Sequence, residues 1–170
     1  MHRLLLTCAG SADLVSVVRD FAARDDFALL ATDTHPELRL AAVTDRYATL
    51  PPGSAPEFVD ALLDLAVRER IDLVIPKADE EVFALMRARA QCARAGVRVA
   101  MQEDALLPIL RSKSSCYAHL AARGFPVPAH RVVQTATELS AALSVLGYPE
   151  RPLLMKPDTM RGGRGVCVIA

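Results

Sequence analysis

At 170 residues, 52% of them hydrophobic and 5% aromatic, the chain holds enough apolar material for one packed domain, or for one domain and a smaller piece of another. That content excludes a disordered chain. Twenty Lys and Arg cancel twenty Asp and Glu, which argues against a nucleic-acid or membrane-surface binder, since such proteins carry a basic excess.

Arg3 to Ala9 is a continuous apolar run ending at Gly10-Ser11, too short for a signal-peptide core or a membrane span. A soluble, cytoplasmic protein is expected. Leu14, Val17, Val18 and Phe21 then share one helical face, so the chain opens as strand, turn, helix. Phe27 to Ala31 is a second strand-like run, ending at Thr32-Asp33. Capping-box spacing, Ser or Thr with Glu three residues on, marks helix starts at Thr34 to Glu37, Ser54 to Glu57 and Thr135 to Glu138. The second of these begins a helix from Ala55 to about Arg70, with Phe58, Leu62, Leu65 and Ala66 facing a core. Leu73-Val74-Ile75 reads as a third buried strand, and Asp79-Glu80-Glu81 as the first turn of a helix that Gly96 ends. Val97 to Met101 is a further strand. Strands separated by helical patterns of this length require crossovers, hence a parallel sheet of about five strands with helices on both faces.

Past Met101 the pattern changes. Pro108 interrupts a short segment, and a helix opens at Arg111-Ser112-Lys113-Ser114 and stops before Gly124 and Pro126. Pro126 and Pro128 make a stiff connector to an expected short strand at His130 to Val133. A capped helix from Ala136 to Leu146 precedes Leu153-Leu154-Met155-Lys156. These changes place a domain boundary near residue 110, giving domains 1–110 and 111–170.

The last stretch carries the most chemistry. One apolar strand delivers Lys156, a loop with Arg161, Gly162, Gly163, Arg164 and Gly165 follows, and Val166 to Ile169 is a second strand. A glycine hairpin of this kind folds backbone N–H groups and cations over a polyanion, phosphate above all. It is not a Walker loop, since no Gly-Lys-Ser/Thr follows. A lysine on a mostly buried strand needs an anion unless its stem reaches outward, which favours a phosphate contact for Lys156. Lys113 stands at the positive end of a helix, where a cation is disfavoured. It is either facing an anionic partner or a solvated surface lysine.

Elsewhere the signals are weaker. The turn at Cys8 to Ala12 sits where a dinucleotide-binding fold puts three glycines, with Asp33 at ribose-binding distance in sequence, but it has one glycine, Gly10. NAD binding is therefore disfavoured over a plain scaffold turn. Acidic residues at 79–81 are explained by helix capping before a metal site. Cys8, Cys92, Cys116 and Cys167 form no Cys-x-x-Cys pair, and no metal centre is expected. No Gly-x-Ser-x-Gly elbow supports a serine hydrolase.

With these residues placed, the layout resembles the ATP-grasp superfamily, in particular its carbamoyl-phosphate-synthase-like proteins. Three features carry the resemblance: the leading parallel sheet, Lys113 in Ser-Lys-Ser-Ser-Cys-Tyr-Ala-His-Leu-Ala-Ala-Arg-Gly-Phe-Pro-Val-Pro, and Leu-Leu-Met-Lys156-Pro with Met160-Arg-Gly-Gly-Arg-Gly-Val166. The resemblance implies an α/β fold, in which a Rossmann-like parallel sheet (a pre-ATP-grasp domain) is followed by a small α+β subdomain that begins an ATP-grasp domain. It implies that Lys113 and Lys156 reach the phosphates of ATP, with Gly162, Gly163, Arg164 and Gly165 closing over them. Arg161 would stand beside them. The implied chemistry is phosphorylation of a small carboxylate by ATP with Mg2+, then displacement of the phosphate by an amine or ammonia. The carboxylate would lie near Gly10, Asp33 and Asp79. Family members continue past the glycine loop, where the metal ligands are expected. The chain is accordingly expected to be the front part of a ligase, with little activity alone; a homodimer stays open. The competing readings are a non-catalytic Rossmann-like binding or regulatory module and, more distantly, a nicotinamide-dependent oxidoreductase.

Overall fold

The computed structural model describes residues 1–35, 44, 46–160 and 162–170. They divide into two compact units, Met1–Gln102 and Glu103–Ala170.

Alternation along the first two strands organises unit 1. In β1 (His2–Leu6) the side chain of Leu5 enters one apolar cluster, while Leu4 and Leu6 enter the other. In β2 (Phe27–Asp33) Leu30 joins the cluster of Leu5, and Leu29 and Ala31 join that of Leu4. Successive side chains of a strand point to opposite faces, so both faces of this sheet are buried. Helix α1 (Val15–Ala22) covers one face with Val17, Val18 and Phe21. The other face is covered by Phe58, Leu62, Leu63, Leu65 and Ala66 of α2 (Phe58–Arg68) and by Ala84 and Leu85 of α3 (Asp79–Arg87). With β3 (Tyr47–Thr49), β4 (Leu73–Ile75) and β5 (Arg98–Val99) the sheet has five strands in the order β3-β2-β1-β4-β5, all parallel. The order reverses between β1 and β4. In an open parallel sheet that switch point leaves a crevice at the carboxyl ends of the strands, where such folds place ligands.

Several boundaries differ from the sequence reading, each for a local reason. The Ser54–Glu57 box does not form: turn bonds from Ala55 N–H to Pro52 O and from Phe58 N–H to Ala55 O take up these residues, and α2 starts only at Phe58 without a side-chain cap. The helix opened by Asp79 breaks at Ala88, and α4 (Arg89–Arg94) continues to Gly96, whose φ of 70° ends it. Only Arg98 and Val99 pair in the strand expected to run from Val97 to Met101. Pro36 and Glu37 of the first capping box lie outside the described residues.

Unit 2 contains α5 (Leu107–Arg111), α6 (Lys113–Ala121), α7 (Ala136–Leu146) and the antiparallel hairpin of β6 (Leu153–Met155) and β7 (Cys167–Ile169). The Thr135 box forms as expected: Thr135 Oγ1 accepts from Glu138 N–H at 3.2 Å, and Glu138 Oε2 accepts from Thr135 N–H at 3.2 Å. Residues 130–133 are not a strand, because no neighbouring strand among the described residues pairs with them; His130 packs instead on the Tyr117 ring at 5.0 Å. Hydrophobic burial is concentrated in unit 1. Among the described residues of unit 2, Leu107 and Ala142 alone are buried.

Leu62 is fully buried at the centre of the larger cluster. Replacing it with alanine should destabilise unit 1 by about 3 kcal/mol, read as a lowered urea midpoint, because the cavity left behind relaxes only in part.

Candidate functional site

The carboxyl edge of the sheet in unit 1 brings two of its three expected residues together. Gly10 N–H donates to Asp33 Oδ2 at 2.9 Å, and Asp33 Oδ1 accepts from Thr34 N–H at 2.7 Å. The carboxylate of Asp33 thus fills the turn in which a dinucleotide pyrophosphate would lie. Asp79, the third, is exposed at the first position of α3.

Sequence reasoning treated Glu81 as one capping residue among three, and the structure gives it a larger part. Its side chain is 4% exposed and lies at the switch point. The Thr7 hydroxyl, just beyond β1, donates to Glu81 Oε2, which also accepts from Ala78 N–H at 3.0 Å. Lys77 N–H donates in turn to Thr7 Oγ1 at 3.0 Å, and the Cys8 thiol faces Glu81 Oε1 at 3.6 Å. Cys8 adopts φ 49°, a left-handed conformation that costs a non-glycine residue roughly 1 kcal/mol and turns the chain over this carboxylate. Gly53 closes the cluster, since a Cβ there would lie 2.6 Å from both Glu81 Cγ and Glu81 N. Buried polar oxygens need hydrogen-bond partners, and these groups supply them. The signal in the sequence was the N3 position of Glu81, which reaches back to the N-cap amide.

Unit 2 holds the second candidate. A cleft of about 660 Å³ has an apolar floor that includes Leu139, Leu143, Leu146 and Leu153, and a polar edge of Lys113, Ser114, Lys156, Asp158 and Gly165. Lys113 is the first residue of α6. Its ammonium donates to the carbonyls of Asp158 at 3.2 Å and Met160 at 2.5 Å. The Asp158 carboxylate lies at the same helix start: Oδ2 accepts from the Ser112 hydroxyl at 2.6 Å, and Oδ1 from Ser114 N–H at 2.8 Å. These hydrogen bonds, with Lys113 nearby, hold the Asp158 carboxyl below the usual carboxylate range. Sequence reasoning missed Asp158; its signal was an acid directly after Lys156-Pro157, at the start of a glycine loop.

Lys156 departs from expectation in one respect. The sequence pattern puts it on a mostly buried strand, yet it follows β6 in an exposed position, beside Leu154 at 52% and Met155 at 39% exposure. Strand β6 pairs with β7 alone among the described residues, so burial does not force an anion upon this lysine. Gly162, Gly163 and Gly165 have φ of 62°, 72° and 69°, and a Cβ at Gly162 or Gly163 would meet nothing within 4 Å. A left-handed, open backbone of this kind permits close approach by an anion. Gly162, Gly163 and Arg164 are exposed on the loop outside the lining of the cleft, and Arg161 lies outside the described residues.

The five-stranded parallel sheet with its β1/β4 switch point and the lysine-bearing glycine hairpin after it are the features on which the resemblance to the ATP-grasp superfamily rests. The chain belongs to the PylC-like N-terminal domain family, whose model matches residues 4–100. Solved structures share the fold. Carboxyaminoimidazole ribonucleotide synthase from Aspergillus clavatus, complexed with ATP, aligns with a TM-score of 0.67 at 20% identity, over 98% of this chain and 41% of that one. The biotin carboxylase domain of the Hydrogenobacter thermophilus 2-oxoglutarate carboxylase, a dimer with MgADP, ADP and bicarbonate, gives 0.60 at 18% identity, over 98% and 37%. The biotin carboxylase domain of a single-chain bacterial carboxylase gives 0.59 at 19%, over 97% and 38%. The chain spans about two-fifths of the length of these proteins. No helix among the described residues is long and apolar enough to cross a membrane.

Two tests follow from the geometry. Thr7→Val strands the Lys77 amide and removes a donor from a buried carboxylate, so it should cost about 2 kcal/mol of stability by chemical denaturation. For Asp158 the folded-state pKa is lowered, so its contribution is complete above the ordinary aspartate range and is lost as pH falls through the lowered value. A carboxyl-carbon NMR titration should accordingly place the Asp158 midpoint below that of an ordinary aspartate.

Proposed function

We propose that this chain provides the leading domain and the phosphate-gripping hairpin of an ATP-dependent carboxylate ligase of the ATP-grasp class. The observation that carries the reading is the convergence of Lys113, Lys156 and Gly165 on one cleft, next to a loop of left-handed glycines. The lining suits a polyphosphate: two ammonium groups and a glycine of the open loop beside apolar side chains. Among the described residues no group of three His, Cys, Asp or Glu side chains lies together, and a Mg2+ brought with ATP would be held mainly by the phosphates.

Bound in such a cleft, ATP supplies the phosphoryl group that activates a small carboxylate for attack by an amine or ammonia. The chain's own part is electrostatic and orienting. Lys113 meets the phosphates with an ammonium already fixed on two carbonyls, Lys156 brings a second, exposed charge, and Gly162 to Gly165 let the backbone approach closely. Arg164 stands ready to add a third cation. The carboxylate substrate is assigned to the sheet edge of unit 1 near Gly10, Asp33 and Asp79. The 170-residue chain is expected to bind nucleotide weakly and not to turn it over.

One observation favours a second reading, a non-catalytic binding module: Glu81 and Asp33 already satisfy the donors at the sheet edge where a small ligand would otherwise lie.

Thermal unfolding separates these. ATP should raise the melting temperature and NAD should not, since only a ligand of the native state stabilises by mass action. Lys156→Ala should abolish the ATP shift. A shift with NAD alone would overturn the proposal, and no shift with either would favour the module.

A further inference from the structure

Lys113 and Asp158 are 45 residues apart, yet their segments are held together at several points. Asp158 uses both carboxylate oxygens on α6, one for the Ser112 hydroxyl and one for Ser114 N–H, while its carbonyl accepts from Lys113 N–H at 3.0 Å. The same carbonyl and that of Met160 receive the Lys113 ammonium. Lys156, on the other strand-end of the cleft edge, has no hydrogen bond or ion pair among the described residues.

Building on the reading of this cleft as a polyphosphate site, we infer that Asp158 is the positioning residue for Lys113. Its carboxylate pins the hairpin loop to the first turn of α6, and the pinned loop presents the two carbonyls that fix the ammonium at the edge of the cleft. A lysine stem has four rotatable bonds, so an unrestrained ammonium loses much freedom on meeting an anion. One fixed in advance loses less, and its third N–H remains for the ligand. The carboxylate is suited to this task because it accepts two hydrogen bonds at once from a helix start, where negative charge is favoured. Asparagine keeps one acceptor for Ser114 N–H and can donate to Ser112 Oγ, so it should preserve most of the pinning; alanine preserves none.

The alternative role for Asp158 has the opposite sign. A carboxylate on these donors could compete with the phosphates, and its removal would then tighten binding.

The experiment is a double-mutant cycle on the full 170-residue chain, with inorganic tripolyphosphate as the probe and calorimetry as the readout. D158A should weaken binding by roughly tenfold and D158N by no more than about threefold. In a K113A background D158A should change affinity by less than about twofold, because a residue acting through Lys113 has nothing left to act upon. Equal losses in both backgrounds would overturn the inference in favour of a general structural role. Tighter binding by D158A would overturn it in favour of a competing anion. A second readout needs no ligand: acetylation of Lys113, measured by peptide mass spectrometry relative to Lys156, should quicken several-fold in D158A once the ammonium is released. An unchanged rate would overturn the inference. Failure of the wild-type chain to bind tripolyphosphate would sink the phosphate reading alone, and the acetylation rate would still decide the role of Asp158.

Discussion

A backbone N–H at the end of a strand or helix must find an acceptor, and this chain meets that requirement with its own carboxylates. Glu81 takes the amide at the start of α3 and the hydroxyl at the end of β1, which ties the two sides of the sheet's switch point together. Asp33 takes the amide of Gly10 in the first turn. Asp158 takes the first turn of α6 and with it anchors the glycine hairpin. Each of these acids joins segments far apart in sequence. The apolar clusters on the two faces of the sheet hold unit 1 together, and the acids decide how its ends and those of unit 2 are finished.

This pairing separates the two candidate sites by chemistry. At the sheet edge in unit 1 the donors are given to internal acceptors, and a Cβ at Gly53 would meet Glu81 at 2.6 Å, which leaves little room for rearrangement. A dinucleotide would have to displace Asp33 to reach the turn. In unit 2 the balance differs, because among the described residues one ammonium retains an N–H beyond its two carbonyls and another has no partner, and three left-handed glycines leave their loop open. A site that keeps unspent donors beside an apolar floor is the better place for an anionic ligand.

Most of the fold could be read from the sequence where the signal is periodic. The runs at Leu4 to Leu6 and Phe27 to Ala31 and the face of Phe58, Leu62, Leu65 and Ala66 are dictated by burial, and burial leaves a pattern. The Thr135–Glu138 box was legible because both its partners are local. The Ser54–Glu57 box has the same spelling and failed, since turns imposed by Pro52 and Gly53 took the backbone first. Lys113, Lys156 and the glycine loop were visible as chemistry, but the pairing of Asp158 with Ser112 and Ser114 was not. That contact spans more than 40 residues and depends on how the hairpin folds back, which no local pattern encodes. The expected burial of Lys156 failed for a related reason: an apolar run implies a strand, but whether a strand is covered depends on the layers around it.

The claim on which the functional account rests is that polyphosphate binds the hairpin of unit 2 and not the sheet edge of unit 1. Amide NMR of the 15N-labelled chain titrated with ATP tests this directly, since each glycine reports its own surroundings. The account predicts saturable shifts at Gly162, Gly163, Gly165 and Ser114, with Gly10 and Thr34 unmoved. Shifts at Gly10 and Thr34 with the hairpin glycines unmoved would contradict it.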